Sequence, residues 1–183
     1  MQVSVYIATS LDGFIARPDG SIDWLINAGN PGDSEDYGYA DFMATVDCLA
    51  MGRNTFEKAL SFPEWPYEGR RVVVLSRSLS EVPESAKGKV ELFSGTVGEL
   101  TRTLKAQEVR RLYIDGGKVI QSFLQAGLVT DMTLTRIPVL IGDGLPLFGT
   151  LHEDVYAEHV ETTSFKSGFT QSVYKLRAQQ DAN

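Results

Sequence analysis

The chain has 183 residues, 43% hydrophobic and 22% charged, enough for one α/β domain with a proper core and ordinary for a soluble globular protein. A net charge of −7 without a basic block excludes a general nucleic-acid binder; the single cysteine, Cys48, excludes an intrachain disulfide or thiolate metal cage and reads as a small core residue inside an apolar run. No stretch approaches the roughly 18 apolar residues of a membrane span, and the first residues lack a signal-peptide pattern, so the expectation is a cytoplasmic protein.

Val3 to Ala8 reads as an apolar strand. Residues 9–24 follow as a turn-rich loop carrying Asp12-Gly13, Pro18 and Asp19-Gly20. Residues 27–33 form a second polar, glycine-bearing connection. A helix is expected from Ser34, with Tyr39, Phe42, Met43 and Val46 on one face at i, i+3, i+4 and i+7. Asp47 to Met51 is a buried strand that leads through Gly52-Arg53-Asn54-Thr55 into a short helix ending at Leu60. Arg71 to Leu75 contains the apolar run Val72-Val-Val-Leu75, which suits a strand covered on both faces of a largely parallel sheet. Val90 to Phe93 is a further strand, and Thr96 to Ala106 a helix with a capping box between Thr96 and Glu99. Arg111 to Ile114 is a strand broken by Gly116 and Gly117, after which Val119, Ile120, Phe123 and Leu124 show helical spacing. Asp131 to Ile137 is a strand, and residues 138–148 a loop. Tyr156 to Ser164 and Phe169 to Arg177 flank Lys166-Ser-Gly168 as a hairpin, with Phe165 and Phe169 exposed at the sheet edge and residues 178–183 frayed. Strands alternate with helices until that hairpin, which gives one α/β domain over residues 1–183 with a mixed sheet and an antiparallel edge.

Three strands end in small, hydroxylic or cationic residues: Met51 into Gly52-Arg53-Asn54-Thr55, Leu75 into Ser76-Arg77-Ser78, and Ile114 into Asp115-Gly116-Gly117-Lys118. Ligands of open α/β sheets bind outside the carboxyl ends of strands, and two of these ends open helices whose first N–H groups suit a pyrophosphate. Arg53 and Arg77 suit the extra phosphate of NADPH better than NADH, although either alone also reads as a solvated charge. A methyl group at Gly117 is expected to stand where the ligand packs. The chain has no G-x-G-x-x-G after the first strand, no P-loop and no G-x-S-x-G, and its two histidines, His152 and His159, both come late. A histidine triad or a His-rich metal site is therefore not expected.

At these residues the chain resembles a known family. Met51-Gly-Arg-Asn-Thr-Phe-Glu57 is similar to the M-G-R-x-T-[WF]-E signature of dihydrofolate-reductase-like proteins, and Val73-Val-Leu-Ser-Arg-Ser78 and Ile114-Asp-Gly-Gly-Lys-Val119 to that family's other cofactor segments. Ser10-Leu-Asp-Gly-Phe-Ile-Ala16 and Gly20-Ser-Ile-Asp-Trp24 resemble the branch of the riboflavin-biosynthesis deaminase-reductase, its reductase domain and stand-alone relatives. The resemblance implies a three-layer α/β/α fold with a mixed, mostly parallel sheet and a C-terminal antiparallel hairpin. It implies NADPH, with the nicotinamide near Ala8 and Ile15. The other implied contacts are Gly52, Arg53, Asn54 and Thr55; Leu75, Ser76, Arg77 and Ser78; and Asp115, Gly116, Gly117, Lys118, Val119 and Ile120.

Hydride transfer to a C=N or C=O bond also needs a proton, and with no histidine in the expected pocket a carboxylic acid is the natural donor. Asp36, three residues before Tyr39, falls on the expected buried stripe; in the resemblance it stands fifteen residues before Met51, the spacing of the acid that holds the pterin ring in folate reductases. It reads equally as a helix cap. Asp12, in the family's S-L-D-G segment, is the rival, or only a turn residue. Trp24 walls the substrate pocket or belongs to the core, Phe56 is a further substrate candidate, and Thr135 either reaches the substrate or is structural. The expected activity is reduction of a small pteridine- or aminopyrimidine-like heterocycle; an aminouracil phosphate would want a second basic cluster after Trp24, and none is there. The competing reading is a dinucleotide-binding module or sensor without turnover. A homodimer is expected, because open sheet edges are usually covered and relatives of this branch commonly pair.

Overall fold

Nine residues, Gln2–Ser10, form β1 near the middle of an eight-stranded sheet. The computed structural model describes residues 1–28 and 35–177. Strand β2 (Phe14–Ala16) and the one-turn helix α1 (Asp23–Ile26) follow, then α2 (Tyr39–Ala44), β3 (Cys48–Gly52) and α3 (Arg53–Leu60). Next come β4 (Arg71–Leu75), a 3-10 turn at Glu84–Ala86, β5 (Glu91–Phe93) and α4 (Val97–Ala106). The second half is β6 (Arg111–Asp115), α5 (Gly117–Gln125), β7 (Asp131–Ile137), β8 (Leu145–Pro146), β9 (Ala157–Ser164) and β10 (Thr170–Leu176).

The sheet runs β5-β4-β3-β6-β1-β7-β10-β9. Every pairing from β5 to β7 is parallel, and β10 returns antiparallel between β7 and β9. This is the mixed, mostly parallel sheet with a terminal hairpin that the alternation of elements predicts. On one face Val3, Val5, Cys48, Ala50, Leu112 and Ile114 meet α4 and α5 through Leu100, Leu104, Val119, Ile120, Phe123 and Leu124. On the other, Leu49, Met51, Val72, Val74 and Tyr113 meet Met43 of α2 and Phe56 and Ala59 of α3. Cys48 is fully buried, as its apolar neighbours imply. The capping box of α4 is formed: Thr96 accepts from the Glu99 N–H at 3.2 Å, and the Glu99 carboxylate accepts from the Thr96 N–H at 2.7 Å.

Four expectations are corrected. The loop over residues 9–24 is shorter than its composition suggests: β1 continues to Ser10, β2 pairs with β8 antiparallel, and α1 follows. That pairing also interrupts the expected loop at 138–148, and it escapes local pattern because its partners lie far apart in the chain. Helix α2 begins at Tyr39, behind Gly38 with φ +83°, so residues 35–38 are not helical. The expected helix start at Ser34, most of the 27–33 connection and the 178–183 tail lie outside the described residues. Phe165 and Phe169 are not exposed; Phe169 is 3% accessible, and both rings pack on Tyr37, with centroids 4.9 and 5.0 Å away, beside Trp24 and Ile137 in a third core.

Candidate functional site

In the strand order β4-β3-β6, the three carboxyl ends singled out in the sequence stand side by side. Helix α3 starts at Arg53 behind Gly52, and α5 at Gly117 behind Gly116; neither start has a side-chain cap, in contrast to α4. Their first N–H groups therefore keep their hydrogen-bonding capacity for another partner, and both helix dipoles present positive ends there. Gly116 has φ +88° and ψ 135°, and a Cβ on it would overlap the Thr55 hydroxyl. A Cβ on Gly52 would touch Val119 Cγ2 at 3.4 Å. The two glycine-led turns thus lean on each other through Thr55 and Val119. Ser76 closes the third turn by accepting from Ser78 N–H at 3.3 Å and Leu79 N–H at 3.0 Å. Arg53 bridges across, donating to Ser78 Oγ at 3.3 Å and pairing with Glu57 at 2.7 Å. Asn54, Arg77 and Lys118 are exposed around these turns, and Leu75 is half-buried.

Val119 and Ile120 are core residues of α5, and the Val119 side chain also backs the Gly52 turn. Gly117 differs from expectation: it is helical without positive φ, and an added methyl would meet Ile15 Cδ1 at 3.1 Å and the Pro146 carbonyl at 3.2 Å, protein atoms on its open side. Ile15 and the β2–β8 ladder therefore flank the start of α5.

Next to this cradle, at the carboxyl end of β1 and β7, a cavity of about 250 Å³ is lined by Ala8, Leu25, Ile26, Glu35, Tyr37, Thr135, Ile137 and Phe169. A larger but open depression of about 830 Å³ lies at the opposite, amino-terminal end of the strands, around Met1, Gln2 and Arg110, away from every group described above. Ala8 pairs with Thr135 and Thr135 with Gln171, so alternation puts Tyr6, Ala8, Thr135, Gln171, Tyr113 and Asp115 on one sheet face. Gln171 Nε2 lies 2.9 Å from Thr135 Oγ1, 3.0 Å from the Tyr37 carbonyl and 3.1 Å from the Tyr6 hydroxyl, which itself donates to that carbonyl. This network holds Tyr37 over the sheet and fixes Thr135, which is 6% accessible. Trp24 is 6% accessible and belongs to the core beneath the cavity rather than to its lining. Phe56 is 1% accessible, packs under α3 and does not face the cavity, a correction to its expected substrate contact.

The carboxylates divide by environment. Asp36 is exposed and caps the turn into α2, accepting from Ala40 N–H at 2.9 Å and Gly38 N–H at 3.0 Å; these bonds hold its pKa below the ordinary value. It is not on a buried helical stripe. Asp12 accepts from Gly142 N–H at 2.8 Å and Ile141 N–H at 3.1 Å; its pKa is lowered, first by the Ser10 hydroxyl and then by these amides. Asp115 behaves oppositely. Burial pushes its carboxyl up, partly offset by the Gly116 N–H at 2.8 Å and the Tyr67 hydroxyl at 3.4 Å. The sequence places Asp115 among the expected cofactor contacts but does not show the desolvation that pushes its carboxyl up, nor the convergence of Tyr6, Glu35, Tyr37, Phe169 and Gln171. The alternation of Ser4, Tyr6, Ala8 and Ser10 against Val3, Val5 and Ile7 in β1 is the signal that would have marked a polar face. Among the described residues no group of three His, Cys, Asp or Glu is placed to hold a metal ion, and no helix is long and apolar enough to cross a membrane.

A family model, the RibD C-terminal domain, matches residues 2–170. The chain is 37% identical over 151 residues to the uncharacterized protein YwjB of Bacillus subtilis, covering 80% of this chain and 82% of that protein. It superposes with a TM-score of 0.92 on a crystal structure described as a putative riboflavin biosynthesis protein from Shewanella sp. PV-4, at 40% identity over 97% of this chain and 99% of that one. The Thermotoga maritima diaminohydroxyphosphoribosylaminopyrimidine deaminase/5-amino-6-(5-phosphoribosylamino)uracil reductase shares the fold alone: TM-score 0.73, 17% identity, 95% of this chain and 56% of that one. The fold is dihydrofolate-reductase-like, and the chain belongs to the RibD C-terminal domain family.

Proposed function

We propose that this chain is an NADPH-dependent reductase of a small planar heterocycle, pteridine- or aminopyrimidine-like. The observation that carries the reading is the side-by-side placement of three strand ends, two opening uncapped helices through glycines and the third closed by serines beside Arg53 and Arg77. These residues fit a phosphorylated dinucleotide: free helix N–H groups for a pyrophosphate, and guanidinium groups for an additional phosphate. NADPH bound there supplies a hydride. Ile15 stands at the start of α5 and Ala8 lines the cavity, where Tyr37 and Phe169 offer aromatic surface and Thr135 a fixed hydroxyl. Asp115, next to the glycine pair, is the acid assigned to the site, because desolvation pushes its carboxyl above the ordinary carboxylate range; Tyr67 and the Gly116 amide fix its orientation. Asp36 serves as a cap of the turn into α2, and Asp12 ties down the backbone at Ile141 and Gly142. The chain pairs with a second copy along β9, all eight residues of which are exposed at the edge of the sheet, flanked by Tyr156 at 66% accessibility.

The test is NADPH oxidation, followed by loss of nicotinamide absorbance, across pteridines, aminopyrimidines and simple carbonyls. Turnover with at least one heterocycle and none with the carbonyls is the expected result. Tight NADPH binding with no oxidation of any compound would instead make the chain a binding module without turnover, and absence of NADPH binding would refute the cofactor reading.

A further inference from the structure

Resting on that reading of the site, we infer that the heterocycle is taken without a phosphate: the cavity selects an uncharged or cationic ring and rejects a ring that carries a ribose phosphate. Two observations independent of each other lead there. The first is size. At about 250 Å³ the cavity is smaller than the roughly 300–1,000 Å³ of sites that enclose drug-sized ligands, and its volume matches one flat ring system. Its walls are mostly apolar or aromatic, Leu25, Ile26, Ile137, Tyr37 and Phe169, which suits the face of a ring, and hold no cation for a phosphate.

The second observation is charge. Glu35 is the charged residue of the lining, and its carboxylate accepts from the Tyr37 N–H at 3.1 Å, which keeps it beside the aromatic wall. The stretch between Arg17 and Arg53 contains no Lys, Arg or His, so its residues in the lining, Leu25, Ile26, Glu35 and Tyr37, bring no cation. Arg17, at the head of that stretch, is held by Asp23 in two hydrogen bonds, at 2.7 and 3.0 Å. Arg136 lies between Thr135 and Ile137 on β7 and so projects from the other face of the sheet. Lys166 sits in the exposed turn between Phe165 and Phe169 and is not part of the lining. A phosphate entering the cavity would thus meet the Glu35 carboxylate in place of the guanidinium or ammonium groups that phosphate sites use. The Thermotoga enzyme that shares the fold acts, by its description, on a phosphoribosylamino compound; this chain keeps the fold and lacks the cations for that group.

The experiment titrates three probes into the full chain saturated with NADP⁺, by calorimetry: 5,6-diaminouracil, its ribosylamino nucleoside, and the nucleoside phosphate. NADP⁺ binding is measured first, so that failure of the cofactor reading is seen separately from failure of the selectivity. Affinity is expected to fall along the series, with the phosphate at least tenfold weaker than the free ring. Glu35→Gln should narrow that gap at least threefold, while NADP⁺ affinity stays unchanged. The inference is overturned if the phosphate binds tightest, in particular if Lys166→Ala then removes its advantage. It is equally overturned if NADP⁺ binds and none of the three probes does.

Discussion

Gly116 is where the backbone and a neighbouring side chain compete for the same space, so Gly116→Ala tests whether the two glycine-led turns form one cradle. The substitution has two costs. Residues with side chains rarely adopt φ +88° with ψ 135°, and holding alanine there costs about 1–3 kcal/mol. The new methyl would also overlap the Thr55 hydroxyl, and overpacking of that kind costs about 1–3 kcal/mol more. A loss of about 4 kcal/mol is therefore expected, large but within the roughly 5–15 kcal/mol stability of a typical domain. Thr55→Ala alone should cost about 1 kcal/mol. The double variant keeps the backbone strain but loses the overlap, so it should be more stable than the sum of the single effects predicts by about 1–2 kcal/mol. Urea denaturation of the four proteins measures this coupling, and fluorescence titration gives NADPH affinity for the folded fraction. Affinity should fall more than tenfold in Gly116→Ala, because relieving the overlap displaces the start of α3. Thr96→Ala is the control: it removes the cap of α4, costs about 1 kcal/mol, and should leave NADPH binding intact. Additive energies, together with a folded Gly116→Ala protein that binds NADPH normally, would refute the shared cradle.

Arg53→Ala and Arg77→Ala should each reduce the preference for NADPH over NADH about tenfold, whereas Glu57→Gln, which releases Arg53 from its ion pair, should strengthen NADPH binding; dissociation constants for both cofactors check this, and an unchanged preference counts against the two arginines. Asp115→Asn should raise the melting temperature at neutral pH. Burial raises the Asp115 pKa in the folded state, so the native protein binds that proton more tightly than the unfolded chain and loses stability as pH rises through the folded value. The advantage of the Asn variant should therefore vanish as pH falls towards the ordinary carboxylate pKa, and thermal melts that show a constant or inverted difference would reject a raised Asp115. Catalytic turnover, by contrast, should drop in this variant at every pH. Sedimentation at micromolar concentration should give the mass of a dimer, and Val160→Glu, on the exposed face of β9, should shift it to the monomer; a monomeric parent chain would exclude pairing along this strand.

Much of the architecture is written in local pattern. β4 at 71–75 and β7 at 131–137 coincide with their apolar runs because strands covered on both faces need little beyond continuous β-branched and aliphatic residues. The α4 capping box is likewise a contact between residues three apart. The three glycine and serine turns at the strand ends were legible as turns for the same reason: each is a short segment with its own chemistry. Their convergence was not, because it depends on β6 lying between β3 and β1, a strand order set by how the whole sheet buries its two faces. The same limit hid the cavity. Ala8 meets Thr135 across a parallel ladder, and Phe169 folds back from the last hairpin to stack on Tyr37. Asp36 misled because helical spacing was extended through Tyr37 and Gly38, both at positive φ, where the chain turns before α2 begins. Asp115 shows the division most plainly. Its place before the glycine pair is sequence, but the desolvation that raises its pKa, and the Tyr67 hydroxyl that partly offsets it, exist only once the surrounding elements have been brought together.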